Sequence, residues 1–285
     1  MTDASFEREQ YLKRQRTEWD EAAEGWLRWR HIFEQRTDAQ QLIEASAVKP
    51  GDRVLDVGAG TGDSSLTLAR RVGSNGMVVA TDLSEAMLAV ARDRATEAGL
   101  GNFEFRVEAA EELDFPEASF DAVVSSFTLM LVEDPVLVSE RIRGFLRPGG
   151  RFAASVWGAP YQVPMMSIPA MVISSEFGVS PPSPDKPGLF ALADPSRLAG
   201  VLREAGFPEV SATPFTLALR FGSADEFANF IKDTAVVLRQ LIEDHAPGRE
   251  EEIWEKVIAS ARAHAAGDGS ITFKNRALIG VGTFS

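Results

Sequence analysis

Val54-Leu55-Asp56-Val57-Gly58-Ala59-Gly60-Thr61-Gly62-Asp63 decides the fold. The stretch opens as a short apolar run rich in β-branched residues, then breaks into glycines at alternate positions. After Asp63 a helical spacing begins, with Leu66, Leu68, Ala69 and Val72 apolar. A buried strand, a tight glycine turn and a helix are how a doubly wound α/β domain opens its ligand crevice. The glycines remove side chains where a ligand approaches the backbone closely.

Two details narrow the ligand. The spacing is G-x-G-x-G, not the G-x-G-x-x-G of dinucleotide enzymes. Acids bracket the turn, with Asp56 before it and Asp63 at the expected helix start. A pyrophosphate seeks the positive end of a helix dipole, and Asp63 there would repel it. A ligand with an ammonium and a sulfonium but no phosphate, such as S-adenosylmethionine, suits these acids better. An NAD-type oxidoreductase is the competing reading, and a binding module without turnover is another.

Working outward, similar units repeat. Lys49-Pro50-Gly51-Asp52 is a turn before strand one, Arg53–Val57. Ser74-Asn75-Gly76 leads into strand two, Met77–Thr81, with Asp82 at its end. Ser84 caps a helix that reaches about Ala98. Strand three is Phe103–Val107 and strand four Asp121–Ser125. A helix over 135–146 ends at Arg147-Pro148-Gly149-Gly150 before strand five, Arg151–Trp157. Short connections between β-α units predict a parallel sheet. The remainder divides into a proline-rich irregular stretch with one short helix, a helix over 197–205 capped by Asp194 or Ser196, and a long strand over 210–221. Helices broken at Pro247-Gly248 follow, then a last strand over 271–281. Before the core, residues 1–47 read as helices interrupted at Gly25, with Trp19, Trp26 and Trp29 on one apolar pattern. This helical part is expected either to dock on the core or to form a lid over a ligand.

The chain has 285 residues, 45% hydrophobic and 25% charged, as in an ordinary globular protein. A net charge of −13 argues against a nucleic-acid or anionic-membrane surface. With no cysteine, disulfides, thiolate metal sites and a cysteine nucleophile are excluded. No run approaches the roughly 20 apolar residues of a membrane span, and the first residues lack a signal-peptide pattern. A cytoplasmic location, no membrane insertion, no metal, and a monomer or homodimer are expected.

Five pieces in register across roughly residues 50–157 carry a family resemblance. They are Val54–Asp63, Thr81–Leu88, Glu111-Glu112-Leu113-Asp114-Phe115-Pro116, Ser119–Val123 and Leu146–Arg151. The chain resembles the class I S-adenosylmethionine-dependent methyltransferases, within them the ubiquinone/menaquinone-biosynthesis C-methyltransferase-like group. The resemblance implies a Rossmann-like methyltransferase fold, an α/β doubly wound, mostly parallel seven-stranded sheet of order 3-2-1-4-5-7-6. It has an N-terminal helical lid and a helical insertion. It also implies S-adenosylmethionine as cofactor and S-adenosylhomocysteine as product. Asp56, Gly58 and Gly60 would line the methionine half and Asp82 would take the ribose hydroxyls. Leu83 and Met87 would lie beside the adenosine, and Ser126 and Phe127 beside the reacting methyl. Arg30 is the candidate partner of the cofactor carboxylate, with Trp26 as lid. The family's acid for the adenine amino group is replaced by Ala109, so Glu108 or Glu111, with the backbone of Ala110, is expected to substitute.

The expected division is 1–47 as lid, 48–157 as cofactor core, and 158–285 as acceptor segment with the closing strands. The acceptor is expected to be a small hydrophobic or aromatic molecule, methylated on C, O or N. Phe127, Met130, Met165, Met166, Met171 and Phe177 are its candidate lining. His31, His245, Tyr11 and Tyr161 are the side chains considered for moving a proton, and no catalytic residue is singled out.

Overall fold

In the computed structural model, which describes residues 3–33, 38–179, 183 and 186–285, the run before the glycines becomes the buried strand β1 (Arg53–Val57). It pairs in parallel with β2 (Met77–Asp82) on one side and β4 (Phe120–Ser126) on the other. β3 (Phe103–Val107) continues beyond β2, and β5 (Leu146–Trp157) beyond β4. The last two strands, β6 (Glu209–Phe221) and β7 (Ile271–Thr283), are antiparallel to each other, and β7 is antiparallel to β5. The order is β3-β2-β1-β4-β5-β7-β6, as the resemblance implied.

Side chains alternate across a strand, and here both faces are covered. Leu55, Val123 and Phe152 enter one core, while Val54, Ala122 and Ala153 enter the other. Helices α3 (Asp38–Ser46) and α4 (Asp63–Val72) fill the second core through Leu42, Ile43, Leu68 and Val72. Helices α6 (Pro135–Phe145) and α8 (Pro195–Glu204) supply Ile142 and Leu198 to the first. Burial on both faces is why these strands read as continuous apolar runs. Ser84 caps α5 (Glu85–Glu97) by accepting the Met87 N–H at 3.0 Å, and Asp194 caps α8.

The flanking parts differ from the reading of the sequence in four places. The first helix, α1 (Asp3–Arg28), runs through Gly25 without interruption. Gly25 is there for packing: an added Cβ would lie 2.1 Å from the Asp233 carbonyl oxygen on α9 (Ala224–Thr234). A single short turn, α2 (Arg30–Phe33), follows. β5 begins five residues early, because Leu146 pairs with Phe120 ahead of a register shift. The proline-rich stretch holds a fourteen-residue helix, α7 (Pro164–Phe177), which persists through Pro169 because Met165, Ile168 and Ile173 are buried in the first core. Pro181, Pro182 and Pro184, which motivated the irregular reading, lie outside the described residues. Finally, the helical region breaks at Ala235 (φ −102°, ψ 68°) as well as at Pro247-Gly248. It thereby separates α9, α10 (Val236–His245) and α11 (Glu250–Arg262). Neither glycine nor proline marks the first of these breaks.

Candidate active site

The strand order reverses between β1 and β4, and a crevice opens at the carboxyl ends of strands at such a point. The turn after β1 is pinned there from below. The N–H groups of Gly58 and Ala59 both donate to the Thr81 carbonyl at 2.9 Å. Asp82 then bridges two turns: one oxygen accepts the Gly60 N–H at 2.8 Å, the other the Ser84 N–H at 2.9 Å. Burial pushes the Asp82 carboxyl up to about 6, against the opposing pull of these two N–H donors. Each oxygen still has a free lone pair for a ligand hydroxyl.

The two glycines of the turn have different physical roles. Both have positive φ, +72° at Gly58 and +55° at Gly60. A Cβ on Gly58 would meet Thr128 Oγ1 at 2.1 Å, whereas a Cβ on Gly60 would meet no protein atom within 4 Å. Gly60 lines the cleft, so that open space is ligand space. Gly58→Ala is therefore expected to lower the unfolding free energy by about 2 kcal/mol or more, from left-handed strain and the clash together. Gly60→Ala should cost only about 1 kcal/mol while removing most ligand affinity. Urea unfolding and calorimetry on the pair check this; equal losses of stability would contradict it.

Asp56 lies beneath the turn rather than in the open cleft. It is fully buried, and one oxygen accepts from Ser64 Oγ at 2.7 Å and from Ser65 Oγ at 2.5 Å. Its other oxygen has no partner among the described residues. Burial raises its pKa to about 6, partly offset by the two serine hydroxyls. Ser64 and Ser65 were not read from the sequence as partners, although their position in the first turn of α4 brings them over the end of β1.

Asp63 requires a correction. Arg94, on α5, reaches it at 2.8 Å and also donates to the Thr61 carbonyl at 2.6 Å. The acid at the helix start is therefore paired and does not by itself repel a phosphate.

The cleft above these groups measures about 1370 Å³ counted out to open solvent. Helix α1 forms one wall. Tyr11 OH donates to the Leu131 carbonyl at 2.5 Å, Arg16 Nε to the Leu83 carbonyl at 3.1 Å, and Asp20 accepts the Ser84 hydroxyl at 2.6 Å. The same helix is tied to the C-terminal helices, because Arg28 and Trp29 both donate to Asp233. Trp26 lines the cleft, stacked on Phe33 with ring centroids 5.0 Å apart. Arg30 does not: it is exposed and outside the lining.

Leu83, Met87, Glu108, Ala110 and Glu111 all line the cleft. Glu111 is buried, accepts the Glu133 N–H at 3.3 Å, and has its carboxyl pushed up by burial. Glu108 accepts the Asp114 N–H at 3.2 Å and is also raised by burial. Ser126, the last residue of β4, and Phe127, just after it, line the cleft as well. Phe127 adopts φ +55°, a rare conformation for an aromatic residue, and stacks on Trp157 at 4.2 Å. Met130, Met165 and Met166 line the cleft as expected from the sequence, together with Trp157, which was not foreseen. Met171 is instead 67% exposed, and Phe177 packs on His245. His31, His245 and Tyr161 are exposed and outside the cleft. Tyr11 lines it, with its hydroxyl already donating and its pKa raised by burial.

A family model described as a methyltransferase domain matches residues 48–176, which contain every element of the glycine turn, Asp82 and the Phe127 wall. This matched part of the chain is similar to the class I S-adenosylmethionine-dependent methyltransferases. The ubiquinone/menaquinone biosynthesis C-methyltransferase UbiE of Teredinibacter turnerae is 40% identical over 119 residues, covering 41% of this chain and 48% of that protein. The chain thus spans about half the length of the curated relatives it matches. A putative methyltransferase from Bacillus halodurans shares the fold at a TM-score of 0.56 and 20% identity, over 87% of this chain and 98% of that one. The [4+2]-cyclase SpnF also shares it, at 0.51 and 20%, over 86% of this chain and 80% of that one. The fold by itself therefore does not fix the reaction.

The residues present fit the family's cofactor. The open space at Gly60 and the free lone pairs of Asp82 offer room and acceptors for a ligand rich in hydroxyl donors.

Proposed function

We propose that the protein transfers a methyl group from S-adenosylmethionine to a small, apolar, uncharged acceptor, an aromatic ring compound fitting best. The observation that carries this reading is the pairing, in one cleft, of the Gly60–Asp82 cradle with the Phe127–Trp157 stack. When bound, the cofactor supplies a methyl already activated on sulfur, so the protein's task is to position it and exclude water.

In this reading Gly58 and Gly60 admit the methionine half, while Asp56 draws its ammonium through Ser64 or water. Asp82 accepts the ribose hydroxyls, and Leu83 and Met87 pack on the adenosine. Glu111 or Glu108 accepts the adenine amino group beside the Ala110 backbone. Ser126 and Phe127 border the methyl, and Trp157, Met130, Met165 and Met166 hold the acceptor against it. Residues 1–47 act as lid, 48–157 as cofactor core, and 158–285 as acceptor segment. The described residues of the lining include no lysine, arginine or histidine, so a phosphorylated or carboxylated acceptor would find no counter-charge. No helix among the described residues is long and apolar enough to cross a membrane.

Incubation with methyl-labelled cofactor and a panel of neutral hydroxylated rings tests the reading. Label in an apolar product, with S-adenosylhomocysteine formed in equal amount, is expected. Label found only in phosphorylated or carboxylated acceptors would contradict the acceptor class.

The acids also predict a pH dependence. Asp56 and Asp82 have folded pKa values of about 6, above the ordinary value of 3.8. The unfolded chain therefore loses these protons first, and their contribution to stability declines as pH rises from about 4 to about 6. Cofactor affinity has the opposite slope, because ammonium and hydroxyl donors need the charged carboxylates. Affinity for S-adenosylhomocysteine is expected to be level above about pH 7 and to fall as pH drops through 6. Calorimetry across that range checks it; a flat profile would show that neither acid titrates in the site.

A further inference from the structure

The loop between β2 and α5, Asp82-Leu83-Ser84, is gripped by two side chains of α1 that stand one helical turn apart. Arg16 Nε donates to the Leu83 carbonyl at 3.1 Å. One oxygen of Asp20 accepts both the Ser84 hydroxyl at 2.6 Å and the Ala86 N–H at 3.3 Å. Ser84 is fully buried, and its N–H donates to Asp82 at 2.9 Å. Asp82 in turn holds the Gly60 N–H at 2.8 Å. A continuous relay runs from Asp20 through Ser84 and Asp82 to the glycine turn. Arg16, Asp20 and Ser84 all stand outside the lining of the cleft.

Capping and docking are already served by other groups. Ser84 caps α5 by accepting the Met87 N–H, and α1 packs there through Trp19, Ala22, Ala23 and Trp26 against Met87. An amide oxygen at position 20 would accept the same two donors, so the charge of Asp20 is what bears on Asp82. Burial is the main cause of the raised Asp82 carboxyl, and Asp20 is the charged neighbour that raises it further. Other charged groups around Asp82 are Arg16 on its loop, Asp56 on β1, Glu108 after β3, and Asp63 on α4, itself paired with Arg94.

Resting on the reading that Asp82 takes the ribose hydroxyls, we propose that Asp20 is a positioning residue for Asp82. It acts through Ser84 and together with Arg16, so that α1 sets cofactor affinity from outside the cleft.

The test is the Kd for S-adenosylhomocysteine, measured by calorimetry from about pH 5 to about pH 8 on the wild type, Asp20→Ala, Asp20→Asn and Glu24→Gln. Glu24 is an exposed carboxylate of the same helix, so its loss removes equal charge away from the loop. At about pH 7.5, Asp20→Ala should bind about fivefold more weakly, the worth of one hydrogen bond. Asp20→Asn, which keeps an acceptor for Ser84, should stay within about twofold of wild type there. Below about pH 6 the Asn variant should bind more tightly than wild type, because Asp82 without that neighbouring charge stays ionised to lower pH. Glu24→Gln should follow the wild type throughout. A role confined to capping α5 would change stability and leave the pH profile of binding in place. Wild-type affinity in Asp20→Ala at about pH 7.5, a wild-type profile in Asp20→Asn, or an equal displacement of the profile in Glu24→Gln would each overturn the proposal. The Asn variant keeps both hydrogen bonds, so its profile decides the matter even if Asp20→Ala folds poorly. Failure of the wild type to bind S-adenosylhomocysteine at any pH would remove the cofactor reading, and this proposal with it.

Discussion

Replacing Asp82 by alanine is expected to raise the Kd for S-adenosylhomocysteine at least tenfold in calorimetric titration. The carboxylate holds Gly60 and Ser84 through their N–H groups at 2.8 and 2.9 Å, and so fixes the glycine turn against the entry to α5. Alanine leaves both donors without that acceptor, at about 1–3 kcal/mol for each that stays buried and unpaired. It also removes the lone pairs that would receive the ribose. The effect on stability is smaller than these losses imply, because burying the carboxylate is itself costly, as its raised pKa records. Binding is therefore the discriminating readout. Asp82→Asn should lose nearly as much, since the amide nitrogen would face one of the two N–H donors. Wild-type affinity in Asp82→Ala would show that the ribose is held elsewhere.

The second large effect is expected at Gly25. An alanine Cβ there would lie 2.1 Å from the Asp233 oxygen and 2.7 Å from its carbonyl carbon. Backbone atoms cannot swing aside as a side chain does, and Asp233 is also held by Arg28 and Trp29 at 2.8 and 2.7 Å. Gly25→Ala should lower the unfolding free energy by about 2 kcal/mol, overpacking outweighing the roughly 1 kcal/mol that alanine gains in a helix. Affinity for S-adenosylhomocysteine should fall as well, because α1 carries Tyr11, Gln15, Trp19 and Trp26 to the cleft. Gly200→Ala is the control: it is helical and nothing lies within 4 Å of its added Cβ, so it should stabilise. Urea unfolding that showed Gly25→Ala stabilised like the control would contradict this account of how α1 docks.

Gly25 also illustrates what the chain makes legible. A glycine inside a helical pattern reads as an interruption, and its reason, α9, lies some two hundred positions away. The pairing of Asp63 with Arg94 escaped the reading in the same way, since nothing local to the glycine turn announces a cation on the next helix. By contrast, the central parallel strands β1, β2, β4 and β5 were readable because both faces of each are largely buried, whereas β3, with Glu104 and Arg106, is a half-exposed edge. The sheet order came only as an implication of the family resemblance that the short motifs carry. The glycine turn and Asp82 follow from these local signals. The wall of the cleft that holds Phe127, Trp157 and the α7 methionines Met165 and Met166 is built of residues individually indistinguishable from core residues in sequence. Met171 and Phe177 share the composition of the lining yet fall outside it, because position around α7, not residue type, decides which side chains meet the cleft.

The central claim, that the cleft over Gly60 and Asp82 takes S-adenosylmethionine, is tested most directly by titrating the wild-type protein with S-adenosylmethionine, S-adenosylhomocysteine and NAD in parallel. Saturable one-to-one binding of the first two, without binding of NAD, is the result this account predicts. Binding of NAD with neither of the others would contradict it.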